Sequence, residues 1–373
     1  MSLGKNNQKW FLKTGISVVH IFIFLIIWSY GTGHQTGSGS NQISDERGDL
    51  RIMFYNVENL FDIYNNPEKD DDDFTPGGAR NWNFFRFREK LLNIYRVIAA
   101  VGGWEPPEIV GLSEVENRYV LNRLINTTPL SGAGYAFIHR DSPDTRGMDV
   151  ALLYRTDRFT PLKKDFYGVK DEQGILQETR EILYAKGVTC CRDTLHLFVN
   201  HWSSRWGGQA ATEHLRVMAA TVLRQAVDSV FQTDASAKII IMGDFNDEPH
   251  EKSLSVTLAA MADFDKTGAS GLYNLFGSFN RQGRGTLKFR GVWNLFDQII
   301  VSWSLIGAEN GLSVSRKSAG IYDAPFLLVR DETWFGYKPF RSYEGYSYTG
   351  GYSDHLPVYI DLSRINQNCD ERQ

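Results

Sequence analysis

Cysteine is scarce: three residues in 373, Cys190, Cys191 and Cys369, with no spacing among them that suits a tetrahedral zinc site. A disulfide from Cys369 to one of the other two would tie down the C-terminus. Cys190 and Cys191 are poor partners for each other, because adjacent side chains on extended backbone point apart. A basic surplus is also missing. Lys and Arg total 40 against 44 Asp and Glu, a net charge of −4, which excludes a protein that grips nucleic acid along a wide basic face. Local contact with a phosphate remains open. No internal repeat occurs, and no apolar run reaches the roughly 20 residues of a comfortable membrane span. What is present is ordinary globular composition, 42% hydrophobic and 23% charged, too apolar for wholesale disorder.

The N-terminus carries Lys5, Lys9 and Lys13 and then an apolar run over residues 16–28. That order reads as a secretory signal, or as an uncleaved anchor since no clear small-x-small cleavage site follows. No cysteine follows the run, which removes lipoprotein processing. The expectation is export: periplasmic, extracellular, or anchored to the outer side of the inner membrane. Residues 31–48, rich in Gly, Ser, Gln and Asn, read as a flexible linker. One domain is expected over 49–363, with a tail at 364–373.

From residue 50 onward, apolar strands and amphipathic helices alternate. Residues 50–55, 108–112, 149–154, 194–199, 298–301 and 357–360 predict strands, and 238–242 a strand buried on both faces. Phe84, Phe87, Leu91, Ile94, Ile98 and Val101 form one face of a helix over 82–101. A second helix runs through Leu121 and Leu124. Thr212 is placed to cap a third, carrying Leu215, Met218, Val222 and Leu223. The alternation predicts an α/β fold around a large buried sheet or sheets.

Polar residues fall where these strands end. The first strand ends at Asn56, followed by Glu58 and Asn59, and the second runs into Glu114. The strand before residue 200 runs into Asn200 and His201. The 238–242 strand leads to Asp244 and Asn246; Asp297 precedes one late strand, and Asp354-His355 the last. Singly, each is ordinary: a turn residue, a helix-start acid, a buried histidine, a surface pair. Together they supply oxygen and imidazole donors at the strand ends, where α/β proteins build their sites.

These segments resemble the endonuclease/exonuclease/phosphatase superfamily. The resemblance rests on Gly243-Asp244-Phe245-Asn246 with Ser353-Asp354-His355-Leu356-Pro357-Val358. It rests also on Asn56-Val57-Glu58-Asn59-Leu60-Phe61-Asp62, Arg146-Gly147-Met148-Asp149-Val150-Ala151 and Asn200-His201-Trp202-Ser203-Ser204-Arg205. It implies a four-layer sandwich, two packed mixed β-sheets flanked by helices. It further implies Asn56 and Glu114 as holders of a divalent metal, with Asp354 at or near the same ion. That ion would be Mg2+, with Mn2+ as the alternative and one ion simpler than two, since the donors are oxygens. Asp244 would orient or deprotonate water, with Asn246 placing it. His355 paired with Asp297 would complete the acid/base set, and His201, as a positively charged donor, would meet the phosphate or leaving group. Some relatives carry an arginine six residues after this histidine, where this chain has Gly207. Arg205, Arg216 and Arg146 are the candidates for a phosphate clamp. The implied function is a metal-dependent phosphodiesterase with nucleic acid the leading substrate; the N-terminal run adds export, with membrane attachment if it is not cleaved, and the lack of an exposed heptad or association stripe predicts a monomer. The alternative is a phosphatase or phospholipase-like hydrolase of a small or lipid phosphoester, of sphingomyelinase or inositol-phosphate type.

Three further stretches carry weaker signals. Asp70-Asp71-Asp72-Asp73 reads as a solvated loop, with calcium binding as the alternative. Arg281, Arg284, Lys288 and Arg290 either follow a phosphate chain or line a solvated hairpin. Ten aromatics between Tyr322 and Tyr352 either pack a long loop or stack on a base.

Overall fold

The structure is a computed structural model that describes residues 48–262 and 271–365. The expected export segment and most of the linker, Cys369 and most of the tail lie outside the described residues. In chain order the elements are β1 (Leu50–Leu60), α1 (Phe84–Gly102), β2 (Ile109–Val115), α2 (Arg118–Thr127), β3 (Tyr135–His139), β4 (Asp149–Arg155), β5 (Phe159–Tyr167), β6 (Ile182–Thr189) and β7 (Thr194–His201). They continue with α3 (Gln209–Thr233), β8 (Lys238–Asp244), β9 (Ala260–Met261), β10 (Leu272–Asn274), α4 (Gly277–Arg281) and the hairpin β11 (Leu287–Phe289) and β12 (Val292–Asn294). Then follow β13 (Asp297–Ser302), α5 (Trp303–Ile306) and β14 (Gly311–Ile321). Two small hairpins come next, β15 (Leu328–Arg330) with β16 (Tyr337–Pro339), and β17 (Tyr343–Glu344) with β18 (Ser347–Tyr348). β19 (Val358–Ile365) closes the series.

Two mixed sheets dominate, as expected. One has six strands in the order β14-β19-β1-β2-β4-β3, the other seven in the order β5-β6-β7-β8-β13-β10-β9. The sheets face each other through one core in which Phe54, Leu112 and Leu152 meet Leu197, Val199 and Met242. Gly111 lies at the closest approach. A Cβ there would sit 2.6 Å from the Met242 sulfur and 3.1 Å from the Phe54 ring, so a larger residue would force these side chains to move. On the outer side, α1 and α2 bury Phe87, Leu91, Ile94, Val120 and Leu124 against the first sheet. On the other, α3 lays Ala220, Leu223 and Val227 on Ile239 and Ile241 of the second. That is the four-layer α/β sandwich.

Local chemistry sets the helix ends. Asn83 caps α1 by accepting from the backbone N–H groups of Phe85 and Arg86, and Gly103 at φ 75° ends it. Thr212 does not cap α3. The helix begins at Gln209, and the Thr212 hydroxyl donates back to the Gly208 carbonyl inside the first turn. The Asp70–Asp73 run is not simply solvated either: Asp71 is buried and accepts from the Asn66 backbone N–H. Cys190 and Cys191 are free thiols. Among the described residues, no helix is long and apolar enough to cross a membrane.

Candidate active site

Strand register assembles the polar residues. In the second sheet, His201 pairs with Asp244 across the parallel strands β7 and β8, and Asp244 pairs with Asp297 across β8 and β13. Three functional side chains therefore sit side by side at one sheet end. His355 joins them through an isolated bridge to Leu287 and donates its ring N–H at Nδ1 to Asp297 Oδ2 at 2.7 Å. In the first sheet, Asn56 and Glu114 both lie at register breaks. Glu114 is an extra residue in β2, between the Ser113–Val150 and Val115–Asp149 pairs, and its φ of 62° turns it out of the ladder. Glu58, Asn59 and Asn246 also hold positive φ. Four non-glycine residues in this conformation around one site mark backbone strain held by the surrounding fold.

The side chains converge. The Asn56 amide donates to Glu114 Oε1 at 3.1 Å and to Asp244 Oδ2 at 3.0 Å. His201 Nε2 lies 3.8 Å from the same Glu114 oxygen and 3.7 Å from the same Asp244 oxygen. His355 Nε2 stands 3.8 Å from Asp244 Oδ2. The backbone N–H of Asn246 donates to Asp244 Oδ1, and the Asn246 amide donates to the Trp202 carbonyl. Seven of the expected residues (Asn56, Glu114, His201, Asp244, Asn246, Asp297 and His355) thus form one cluster, buried apart from the partly exposed Glu114.

Burial and charge divide the roles. Burial pushes the Asp244 carboxyl up to about 7; Asp297 adds to the rise, while His355 and the Asn56 and Asn246 hydrogen bonds oppose it. For His355, burial works against charge, yet Asp297 and Asp244 outweigh it and hold the imidazole well above its ordinary value. His201 goes the other way. Burial, with Arg180, Arg146 and His355 nearby, holds it well below its ordinary value. The expected positive charge on His201 runs against this environment, which favours the neutral imidazole, and its buried Nδ1 has no hydrogen-bond partner among the described residues.

A hard cation fits this arrangement. Carboxylate oxygens of Glu114 and Asp244 accept from one amide group, and with Asp297 they make three carboxylates beside a single charged imidazole, His355. Asp244, Asp297 and His355 can also present their ligand atoms within 4.8 Å of one another. Buried carboxylates this close need a compensating positive charge. Asp354, beside His355, accepts from Arg341 at 3.1 Å.

The arginine candidates separate clearly. Arg216 is fully buried, donates to Asp247 Oδ1 at 2.6 Å and reaches the Ser203 and Gln209 carbonyls. It is a strut and not a phosphate clamp, because no face of it is open to a substrate. Arg205 donates to the Asn246 carbonyl and pairs with Asp247 and Glu251. It holds the Asn246 loop from behind. Arg146 is half exposed, close enough to act on His201, and loosely paired with Asp144 at 3.8 Å.

Sequence reasoning missed two groups. Arg180, buried, donates to the His201 and Trp202 carbonyls and pairs with Asp144 at 2.9 Å. Nothing in the local pattern marks it, since its partners are distant in sequence. Glu58 and Lys90 form a buried ion pair at 3.9 Å beside Arg341 and Asp354. Burial raises Glu58 to about 7 and lowers Lys90 to about 8. Lys90 was detectable as a charge on the apolar face of α1, between Phe87 and Leu91.

A family model described as Endonuclease/Exonuclease/phosphatase family matches residues 51–364. No curated protein matches the chain. Among solved structures, the human Nocturnin catalytic domain with bound sulfate anion is similar at 16% identity, with 85% of this chain and 94% of that one covered and a TM-score of 0.53. An endonuclease/exonuclease/phosphatase family protein from Bacteroides thetaiotaomicron is similar at 17% identity, covering 87% and 98%, with a TM-score of 0.52. A humanized D. rerio TDP2 follows at 15% identity, covering 84% and 98%, with a TM-score of 0.52. At these identities the likeness is one of fold.

Proposed function

The chain belongs to the endonuclease/exonuclease/phosphatase family, and from that premise we propose that it is an exported, divalent-metal-dependent phosphodiesterase. The observation that supports this reading is the convergence of Asn56, Glu114, His201, Asp244, Asp297 and His355 at the facing ends of two sheets. Asn56 and Glu114, with Asp244 adjoining, would hold Mg2+ or Mn2+. When bound, such an ion neutralises phosphate charge and polarises the phosphoryl oxygen.

The protein's own groups then divide the proton work. Asp244, with a carboxyl near neutral range, accepts the proton of the attacking water, which Asn246 positions. The water oxygen forms its bond to phosphorus as the opposite P–O bond breaks. His355, kept charged by Asp297, donates a proton to the leaving oxygen. It regains one from Asp244 across their 3.8 Å separation. His201, neutral, faces the phosphate without adding repulsion toward Arg146, the candidate left open for the clamp.

Nucleic acid is the leading substrate in this proposal. The basic stretch at Arg281, Arg284, Lys288 and Arg290 supports it, as does a D. rerio TDP2 structure complexed with a single-strand DNA product, a likeness of fold at 14% identity. Exposed aromatic hairpins beside the site favour a second reading, a lipid phosphoester. A panel of DNA, RNA, choline-phosphate and inositol-phosphate esters, each with Mg2+ or Mn2+, tests both. Turnover abolished in Asp244→Ala supports the proposal; inactivity of the intact protein on every ester defeats it.

A further inference from the structure

Two hairpins rise beside the site on the side that carries His355. The first, β11–β12, starts at the Leu287 bridge to His355, and the Thr286 carbonyl accepts from the Leu356 N–H at 2.8 Å. Its tip is Arg290-Gly291, with φ 48° and 85°, a two-residue turn of the kind that twists with its strands. The second, β15–β16, carries Trp334 and Phe335 in its loop. The hairpins are fastened together. Lys288 donates to the Phe335 carbonyl at 2.7 Å and pairs with Asp331 at 2.9 Å. The Gly291 backbone lies so close to Trp334 that an added Cβ would come within 3.1 Å of it.

These fastened tips display apolar surface. Phe289 is 61% exposed, Val292 62%, Trp334 53%, Phe335 81% and Tyr337 62%. Single exposed apolar residues need no explanation, but five on adjoining tips form a contiguous patch. Phe335 also holds φ 60°, a left-handed conformation suited to Gly or Asn. A bulky aromatic there gives up local stability to place its ring in solvent.

The charge around the patch is one-sided. Residues 281–294 contain four basic residues and no acidic one, in a chain of net −4; Arg284 pairs with Asp323 at 3.1 Å and Lys288 with Asp331, which leaves Arg290 as the cation at the tip. The acids of the second hairpin are paired, Asp331 with Lys288 and Glu332 with Arg330. Arg290 lies over the Phe289 ring, 5.2 Å from its centroid.

We propose that this pair of hairpins docks on an anionic phospholipid bilayer, with the Phe335, Trp334 and Phe289 rings entering the interface and the arginines meeting headgroup phosphates. Aromatic and basic residues together on one face are what interfacial binding requires. A stacking platform for single-stranded nucleic acid would need open ring faces along a groove. Here the Gly291 backbone packs against the base of the Trp334 side chain, and Val292 adds aliphatic surface that does not stack. Docking would hold the site at a lipid surface whichever phosphoester is cleaved, so the idea stands apart from the proposed reaction.

Hydrogen exchange on the full chain tests it, because the readout is local and separates these hairpins from the apolar N-terminal run. The probes are vesicles of phosphatidylcholine alone, vesicles mixing it equally with phosphatidylglycerol, and a single-stranded oligonucleotide. Slowed exchange in residues 287–294 and 328–339 on the anionic vesicles, and not on the neutral ones, is the expected result. The double variant Trp334→Ser/Phe335→Ser should lose that protection, while its hydrolysis of a soluble diester is unchanged, and Arg290→Glu should weaken the protection by at least about tenfold in vesicle concentration. Equal exchange with and without anionic vesicles overturns the proposal. So does protection of these segments by the oligonucleotide alone.

Discussion

At the residue scale, the proposed proton transfer rests on the Asp297–His355 pair. The imidazole carries charge in a buried place only because two carboxylates face it. Asp297→Asn keeps the shape and removes one of those charges, so His355 should titrate at lower pH and turnover should fall by roughly a hundredfold or more. An NMR titration of the His355 ring alongside steady-state rates checks both; an unmoved ring titration would refute the assignment. His196, on β7, shows the opposite effect on stability. Burial, aided by Lys186, lowers it to about 4, and its Nδ1 meets the Tyr184 hydroxyl at 2.8 Å. The folded state thus resists a proton that the unfolded chain binds near pH 6.5. Its contribution is complete above about pH 6.5 and is lost as pH falls toward 4. Urea midpoints measured across that interval should fall less steeply in His196→Gln than in the parent, and parallel slopes would exclude this group.

At the element scale, the loop after β8 depends on a helix. Arg216 reaches from α3 to Asp247, which also accepts from the Ser253 hydroxyl, and Arg205 closes over Asn246 from the other side. Arg216→Met should cost about 3–5 kcal/mol, because it leaves the Asp247 carboxylate buried with one charged partner fewer. The Asn246 amide should loosen with it, so activity would fall further than stability alone requires. Urea unfolding and rates measured well below the midpoint separate the two effects. A sequence shows that Arg216 lies on a helix but not which way it points, which is why it reads there as a phosphate ligand. The same limit explains Glu114. Its place after an apolar strand was legible, whereas the bulge that aims it depends on a register between β2 and β4 that only the assembled sheet defines. Thr212 had the right type for a cap, but Gly207 and Gly208, both at positive φ, let the helix start four residues earlier.

At the scale of the whole molecule, the site straddles the sandwich. Asn56 and Glu114 come from the six-stranded sheet, and His201, Asp244 and Asp297 from the seven-stranded one. The strands and most of this donor set were legible because each strand ends where its apolar run ends. The pairing of the sheets was not, because Gly111 against Met242 is a contact between segments with no shared pattern. This division has a thermodynamic consequence. Carboxylates from both layers crowd one point, so a bound cation would tie the two sheets together and raise the stability of the whole domain rather than of a loop. At a hundredfold excess over its dissociation constant, the gain should be about 2.7 kcal/mol. Thermal unfolding should therefore shift upward as a single transition when Mg2+ or Mn2+ is added, and downward with a chelator. Glu114→Gln removes a ligand charge from the first sheet while leaving the second sheet's carboxylates in place, and it should abolish most of that shift. An ion-induced rise of the same size in Glu114→Gln would mean that the cation is held by the second sheet alone, and the bridging role would have to be abandoned.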